Sequence, residues 1–468
     1  MGKSMRIRQL FWNTLLVFAS AALSSCGSSS TSSFNPGGSN QQGAGSVVVL
    51  AQDAPLASVV FFQVTIEGLT ATDGTNTVNL LSQPQDVEFA RLTGLRTLLD
   101  LNSVPAGTYT SVTATLMNPV IGFLDTTTSP PSIQKLSGNP AASTVTIALN
   151  PGLTVTDGGL VALLFDFNLG KSLQLDATGM VTGTVMPDLR LRAIPSDAPE
   201  ADIDELRGGV VSVNPTAGSF VMQIPNGRML TVDTDASTDI EPPSETISSF
   251  DTNTIVEVSG RLDRATLTLK AAEVDVISHD HFVAGGLLTD VRPPSGPANQ
   301  IDVFIRRELP VLSNLQPDTI GTFNLTGNEL YFIRRLHTPL ALFVFNQSAM
   351  VPGQRITVGG SLSATPMAIH RVTLYPQGLE GAWVPGSTNV QSGNQGTFQF
   401  NSGGLAGVLF KGAVTVLTSG GTRFGGGLNG LADLSGPQPI HLRVVGLVLK
   451  DPNTGNPTIV ARGVARLN

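Results

Sequence analysis

The sequence predicts an all-β protein, with an N-terminal β-sandwich followed by two or three small β-barrel repeats. Short runs rich in valine and threonine alternate apolar with polar side chains, which is the period of a half-buried strand. The chain also contains 50 glycines and 30 prolines, which separate these runs with frequent turns. In the C-terminal half, glycine-containing strand patterns recur at long intervals, which indicates repeated barrels.

The first 25 residues have the features of an export signal. Basic residues near the start precede an uncharged, mostly apolar run over residues 10–23. This run is too short to remain in a bilayer as a lasting anchor. We therefore expect residues 1–25 to be a signal peptide that is removed from the mature protein.

The apolar run ends in "LSSC", and the cysteine, Cys26, is the only one in the chain. This segment resembles the lipobox of bacterial lipoproteins. The resemblance implies a diacylglyceryl group on the Cys26 sulfur, cleavage before Cys26, and acylation of the new N-terminus. Two or three acyl chains, at about 0.8 kcal/mol per buried CH2, anchor a protein stably. The alternatives are an ordinary signal peptide with a chance cysteine, or a buried free thiol.

Residues 26–45 are predicted to be a flexible tether. The segment consists mainly of Gly, Ser, Asn and Gln, and it cannot bury enough apolar surface to become ordered. Residue 27 is Gly rather than Asp, which by the same resemblance implies export to the outer membrane, on either of its faces. The expected partners are the membrane, through the N-terminal lipid, and an envelope protein or polymer.

The charge of the mature chain argues against nucleic-acid binding. Removal of residues 1–25 takes away three basic residues and no acidic residue, so the net charge moves from −8 to −11. Nucleic-acid-binding domains need a basic surface that neutralises phosphates. Lysine is scarce and no basic cluster stands out, so we expect no nucleic-acid partner.

The first folded block is predicted at residues 46–195, as a two-sheet sandwich of short strands separated by turns. Its motifs, in chain order, are "DAP" at 53–55, "VTIE" at 64–67, "LDL" at 99–101, "PAGTY" at 105–109 and "FDF" at 165–167. Together they resemble an N-terminal domain of unknown function that is common in bacterial lipoproteins. The resemblance covers residues 46–193 and implies a fold and a location, since no activity is established for that family.

An acidic, proline-containing segment at 196–207 is predicted to be a linker. Beyond it we expect β-barrel unit one at 208–278 and β-barrel unit two at 285–385, because "IVEVSGRL" and "RITVGGSL" match in pattern and order. A third β unit is predicted at 390–468, without the glycine-rich opening of the others. The first unit resembles a small β-barrel domain of unknown function from secreted bacterial proteins. Gly260 and Gly360 are expected where a strand bends to close the barrel.

Unit two is longer than unit one, which predicts an insertion at residues 324–345. Functional sites concentrate in loops on rigid scaffolds, and aromatic and arginine side chains dominate binding hot spots. The insertion is therefore the candidate partner surface, formed by Tyr331, Phe332, Arg334 and Arg335. The alternative is an extra hairpin that covers the barrel.

The sequence contains none of the catalytic motifs that we considered. It lacks the G-x-S-x-G of serine hydrolases and the H-E-x-x-H of zinc proteases. His279 and His281 would lie on one face of a strand and could hold a metal with Asp275, but a solvated linker between the two units is the preferred interpretation. We assign no metal, cofactor or catalytic residue.

These observations predict a lipid-anchored cell-envelope protein with a non-catalytic binding or structural role. The alternative is a binding module for an extracellular polymer, such as a glycan or peptidoglycan. A hydrolase whose carboxylates are brought together by the fold is the third possibility.

Overall fold

The computed structural model describes residues 43–54, 59–92, 95–125, 132–176, 181–198, 201–225, 227–279, 281–309, 315–334, 343–361 and 368–467. Nearly all regular structure in these ranges is β-strand, which confirms the all-β class with its sandwich and small barrels. Residues Gln42–Asn468 form one compact unit. Within the described ranges, no helix has the length and apolar character needed to cross a membrane.

The N-terminal domain is built from two main sheets. Its elements are β1 (Ala44–Ala54), β2 (Val59–Thr72), β3 (Thr77–Asn79), β4 (Gln85–Glu88), β5 (Thr97–Pro105), β6 (Gly107–Asp125), β7 (Ser132–Ser137), β8 (Asn139–Pro140), β9 (Thr144–Val155), β10 (Leu160–Asn168), α1 (Leu169–Ser172), β11 (Leu173–Leu175), β12 (Val181–Val185) and β13 (Leu189–Pro195). One sheet has the order β13-β10-β1-β5. The other has the order β3-β2-β6-β7, with β4 beside β2 and β9 beside β6.

The alternation of side chains explains how these sheets pack. In β2, Val64 and Ile66 are buried while Glu67 is exposed, as expected for a strand with one face in the core. Strand β1 differs, because its run of apolar residues is buried on both faces. Val47 and Val49 pack in the sandwich core, whereas Val48 and Leu50 pack in a second core beyond the sheet. Something must therefore cover the outer face of this sheet, and barrel one does so.

Barrel one follows the N-terminal domain. Its strands are β14 (Ile203–Asn214), β15 (Ser219–Gln223), β16 (Met229–Asp233), β17 (Asp239–Glu241), β18 (Ile255–Leu262) and β19 (Leu269–Ser278). The hydrogen-bonded ring runs β14-β15-β16-β19-β18 and returns to β14, so the barrel is closed. The pairing of β16 with β19 is parallel and the other pairings in the ring are antiparallel.

Barrels two and three repeat this arrangement. Barrel two has β20 (His281–Arg292), β21 (Gln300–Leu309), β22 (Ile320–Asn324), β23 (Leu330–Ile333), β24 (Arg355–Ser361) and β25 (Ala368–Tyr375). Barrel three has β26 (Gln377–Trp383), β27 (Asn389–Ser392), β28 (Gln395–Ser402), α2 (Gly404–Phe410), β29 (Val414–Thr418), β30 (Arg423–Gly425), β31 (His441–Lys450) and β32 (Pro457–Arg466). Barrel three closes through a parallel pairing of β29 with β32. In the described part of barrel two, the equivalent strands β22 and β25 are not hydrogen-bonded to each other.

Numbering the five ring strands of each barrel in chain order gives the closed order 1-2-3-5-4-1 for barrels one and three. This order, with strands 3 and 5 parallel, is that of the OB-fold barrel. Strand 4 contains a register shift at the same place in every barrel, next to Gly260, Gly360 or Gly446. A Cβ atom on each would lie 2.1 or 2.2 Å from a carbonyl oxygen of strand 5. Only glycine lets the backbones approach this closely, and the predicted bends at Gly260 and Gly360 are present.

The observed boundaries differ from the predicted ones in two places. Segment 196–207, expected to be a linker, contributes Ala201, Ile203 and Leu206 to the core shared by barrel one and the N-terminal domain. Its acidic composition hid the alternation, because Glu205 faces a covered surface rather than solvent. Residues 377–383, which the prediction placed in unit two, form the first strand of barrel three.

Candidate functional site

The structure places Arg334, predicted to lie on a partner surface, in the interior. Its side chain is 1 % exposed. The guanidinium lies 2.9 Å from Glu273, 3.0 Å from Asp275 and 3.2 Å from Glu205, measured between nitrogen and carboxylate oxygen. Arg334 is therefore unavailable to a partner, which corrects the prediction for this residue. A buried guanidinium needs such partners, because an unpaired charge in the interior is very costly.

The other residues of the predicted surface are partly buried or lie outside the described ranges. The Tyr331 ring packs edge-on against Phe345, and its hydroxyl donates a hydrogen bond of 3.3 Å to Glu329. The guanidinium carbon of Arg371 lies over the Phe332 ring, 4.6 Å from the centroid of that ring. Arg335 lies outside the described residues.

Strand β23, which contains Tyr331 and Phe332, is not an addition to one barrel. It pairs in parallel with β25, the fifth ring strand of barrel two. Strand β17 has the same relation to β19 in barrel one, and β30 has it to β32 in barrel three. Strand β23 is thus part of the shared framework, and residues 335–342 of the predicted insertion lie outside the described residues.

Arg334 belongs to a larger buried charge network between barrels one and two. The carboxylates of this network, all from barrel one, are Glu205, Glu257, Glu273 and Asp275, and the arginines that barrel two contributes are Arg307, Arg334 and Arg355. Arg207 of barrel one also takes part, with Nη2 2.6 Å from Glu257. Charges of opposite sign on the two barrels therefore meet in their interface.

The two-residue period of the strands puts these carboxylates on one surface. In β18, Val256 and Val258 point into barrel one and Glu257 points outward. In the ladder, Glu257 pairs with Arg207 on one side and with Asp275 on the other. The outward face of barrel one thus has a charged patch, which barrel two covers.

Burial and charge pairing shift the pKa values of the network in opposite directions. Burial raises the pKa of Asp275 to about 7, although Arg334 opposes this rise. Burial would also raise the pKa of Glu205, but Arg355 and Arg334 lower it to about 2. Burial lowers the pKa of Arg207 to about 10. Glu205 thus stays ionised, while Asp275 changes its charge near neutral pH.

A pocket lies beside this network, where the N-terminal domain meets barrels two and three. Its volume is about 140 Å³. Its polar wall contains the arginines Arg91, Arg306, Arg355 and Arg462 together with Glu380. Its apolar wall includes Val60, Leu287 and Leu405, which share a small core. Neither the arginines nor this pocket was identified from the sequence, because the residues come from distant segments with no common motif.

The arginines of the pocket differ in how they are held. Arg355 donates hydrogen bonds to Glu205 and to the carbonyl of Pro376, so its donors are in use. The Nε of Arg306 is buried and has no hydrogen-bond partner among the described residues. Burial lowers the pKa of both Arg91 and Arg306, and Glu88 opposes this shift. Glu380 is held by Arg443, at 3.0 and 2.9 Å.

The histidine pair shows no metal geometry in the described residues. The ring of His279 lies 3.1 Å from Thr254 through Nδ1 and 3.1 Å from Glu245 through Nε2. Asp275 is engaged by Arg334, and the side chain of His281 lies outside the described residues. No group of three or more metal-ligating side chains occurs in the ranges described. Cys26 also lies outside them.

Comparison with known proteins gives one match. Residues 44–182 match the model of a domain of unknown function, DUF4382. No curated protein and no solved structure matches the chain. The strand pairings of barrels one and three give their OB-fold strand order. The chain carries a DUF4382 domain in its N-terminal sandwich, followed by repeated small β domains.

Proposed function

We propose that this chain is a lipid-anchored protein of the cell envelope with a non-catalytic binding or structural role. Cys26 is the proposed lipid attachment site, and the outer membrane is the proposed location. The lipobox-like segment and the polar tether that follows it support the anchor. The tether would hold the folded body away from the membrane surface.

The observation that carries the structural part of the proposal is the charge network between barrels one and two. Arg334 belongs to barrel two, and its buried side chain contacts three carboxylates of barrel one. Removal of Arg334 would leave buried carboxylates unpaired, which costs about 3–5 kcal/mol, so the two barrels are matched to each other in charge. We infer that the body works as one platform rather than as a string of independent modules.

The same network argues against a hydrolase. A glycosidase needs two carboxylates on either side of a substrate-sized cleft. The cavity next to Asp275 and Glu241 has a volume of about 10 Å³, which holds about one water molecule. This cavity therefore has no room for a sugar beside Asp275, and the carboxylates of the network are paired with arginines.

Binding of an extracellular polymer, such as a glycan or peptidoglycan, is the second candidate function. Barrels of the OB strand order bind oligonucleotides or oligosaccharides, and the acidic charge of this chain argues against the former. A glycan array probed with the full chain tests this candidate, and an array without specific signal would remove it.

The anchor is tested by the variant Cys26→Ala, with Ser25→Ala as a control that keeps a small residue before the cysteine. We expect Cys26→Ala to remain an uncleaved precursor without lipid, and Ser25→Ala to be processed as in the wild type. Mass spectrometry of the N-terminus and detergent partitioning measure the outcome. A Cys26→Ala protein that is cleaved and partitions like the wild type would refute the anchor.

A further inference from the structure

We propose that the pocket between the N-terminal domain and barrels two and three binds an organic anion, with Arg306 as its main contact. The ligand class is a single carboxylate or phosphate group on a short apolar body. This inference gives the proposed binding role a site and a ligand class, and it rests on that role. The pocket residues that carry it are Arg91, Arg306, Arg462, Val60, Leu287 and Leu405.

The first support is the state of Arg306. A guanidinium carries five N–H donors and no acceptor, and buried donors are nearly always satisfied. The Nε of Arg306 is nevertheless buried without a partner in the described residues. Arg306 also lines the pocket, so a carboxylate or phosphate held there can accept from its guanidinium group.

The second support is the excess of positive charge. Arg91, Arg306 and Arg462 line one pocket, and Arg355, which also lines it, is paired with Glu205. The nearby carboxylates are committed elsewhere: Glu205 contacts Arg355 and Arg334, and Glu380 contacts Arg443. Glu88 offsets part of the charge of Arg91 and Arg306, and its carboxylate also accepts from the backbone N–H groups of Phe62 and Arg91. An anion would relieve the repulsion among the arginines, whereas a cation would increase it.

The third support is the apolar wall, which indicates an organic anion rather than a bare inorganic one. Val60 comes from the N-terminal domain, Leu287 from barrel two and Leu405 from the helix α2 of barrel three, and they pack together. Ligand pockets commonly combine such apolar walls with a few placed polar groups. A volume of about 140 Å³ suits a short chain and one acidic group.

The experiment is calorimetric titration of the purified full chain in detergent with hexanoate, hexyl phosphate, acetate and inorganic phosphate. We expect saturable binding of hexanoate or hexyl phosphate, at least about tenfold tighter than that of the matching short anion. Hexanoate against hexyl phosphate shows which acidic group is preferred, and either preference supports the proposal. The proposal would be overturned if neither hexanoate nor hexyl phosphate binds. It would also be overturned if hexanoate binds no more tightly than acetate and hexyl phosphate binds no more tightly than inorganic phosphate.

Two variants locate the site. Arg306→Met keeps much of the side-chain volume and should weaken binding by about tenfold or more, since a charged hydrogen bond is lost. Arg462→Gln alters an exposed residue at the pocket rim, so it should weaken binding without a folding defect. Arg192→Gln, an exposed arginine of β13, is the control and should bind like the wild type. If both pocket variants bind as tightly as Arg192→Gln, the site is not here. The lipid-anchor assay is independent of these titrations, so either result can fail alone.

Discussion

At the residue scale, Asp275 and Arg334 show that a pair of opposite charges can be structural and still sensitive to pH. Arg334 contacts three carboxylates from barrel one, and its own positive charge does not balance all of them. The pKa of Glu205 is low because Arg355 and Arg334 outweigh its burial. The pKa of Asp275 is high because burial and its neighbours Glu273 and Glu205 outweigh Arg334. The two carboxylates thus differ in pKa although both contact Arg334.

Asp275 should make the stability of the body fall as the pH rises. Its pKa rises on folding from 3.8 to about 7, so the folded state holds its proton more tightly than the unfolded state. The stabilising contribution is therefore complete below about pH 4 and is lost as the pH approaches 7. We expect Asp275→Asn to reduce the slope of the unfolding free energy against pH in this range, by up to roughly 1.4 kcal/mol per pH unit relative to the wild type.

Urea unfolding of both proteins across this pH window measures the effect. Asp197→Asn, which changes an exposed carboxylate, serves as the control and should follow the wild-type profile. Parallel profiles for wild type and Asp275→Asn would show that Asp275 does not gain a proton on folding.

At the element scale, the fourth strand of each barrel depends on one glycine. The register shift next to Gly260, Gly360 and Gly446 lets strand 4 bend while it stays paired with strand 5. The fifth strand also pairs in parallel with a short edge strand, namely β17, β23 or β30. These shared features identify the three barrels as repeats more clearly than their sequences do.

Gly360→Ala should destabilise barrel two. The added Cβ would lie 2.1 Å from the carbonyl oxygen of Ala368, so β24 or β25 must move. We expect a loss of roughly 1–3 kcal/mol, as for other overpacked sites. Gly209→Ala is the matched control, because its Cβ would meet no atom within 4 Å. Urea unfolding measures both variants, and equal stability of the two would show that the bulge tolerates a side chain.

At the scale of the whole molecule, the domains share their cores. One core contains Val48 and Leu50 of the N-terminal domain together with residues of barrel one. Another joins barrel two to Leu447 and Leu449 of barrel three. Shared cores, together with the charge network, couple the unfolding of each part to that of its neighbours, because opening one exposes apolar surface on the next.

The body should therefore unfold in one transition. Trp383 is buried in barrel three and is the only tryptophan that follows the signal peptide expected at residues 1–25, so the fluorescence of the mature protein reports on that barrel. Far-UV circular dichroism reports on all the sheets. We expect the two probes to give the same urea midpoint, which is a test of two-state behaviour. A separate fluorescence transition would mean that barrel three folds independently and that the shared core contributes little.

The sequence by itself determined the features that depend on near neighbours in the chain. The alternation in "VTIE" predicts a half-buried strand, and Val64 and Ile66 are indeed buried. The glycines at 260 and 360 predict bends, because only glycine tolerates the close backbone contact found there. The lipobox-like segment around Cys26 is likewise local, and its prediction stays open to the test described above.

Only the tertiary structure decided which polar faces are covered. Alternation shows that Glu257 and Val258 point to opposite sides of β18, but it cannot show that a second barrel covers the polar side. Arg334 illustrates this, because its arginine-aromatic surroundings suggested a binding surface and the fold placed it among carboxylates from distant strands. The arginine pocket has the same origin. Its walls come from the N-terminal domain, barrel two and barrel three, and only the packing of these distant segments brings Arg91, Arg306 and Arg462 together.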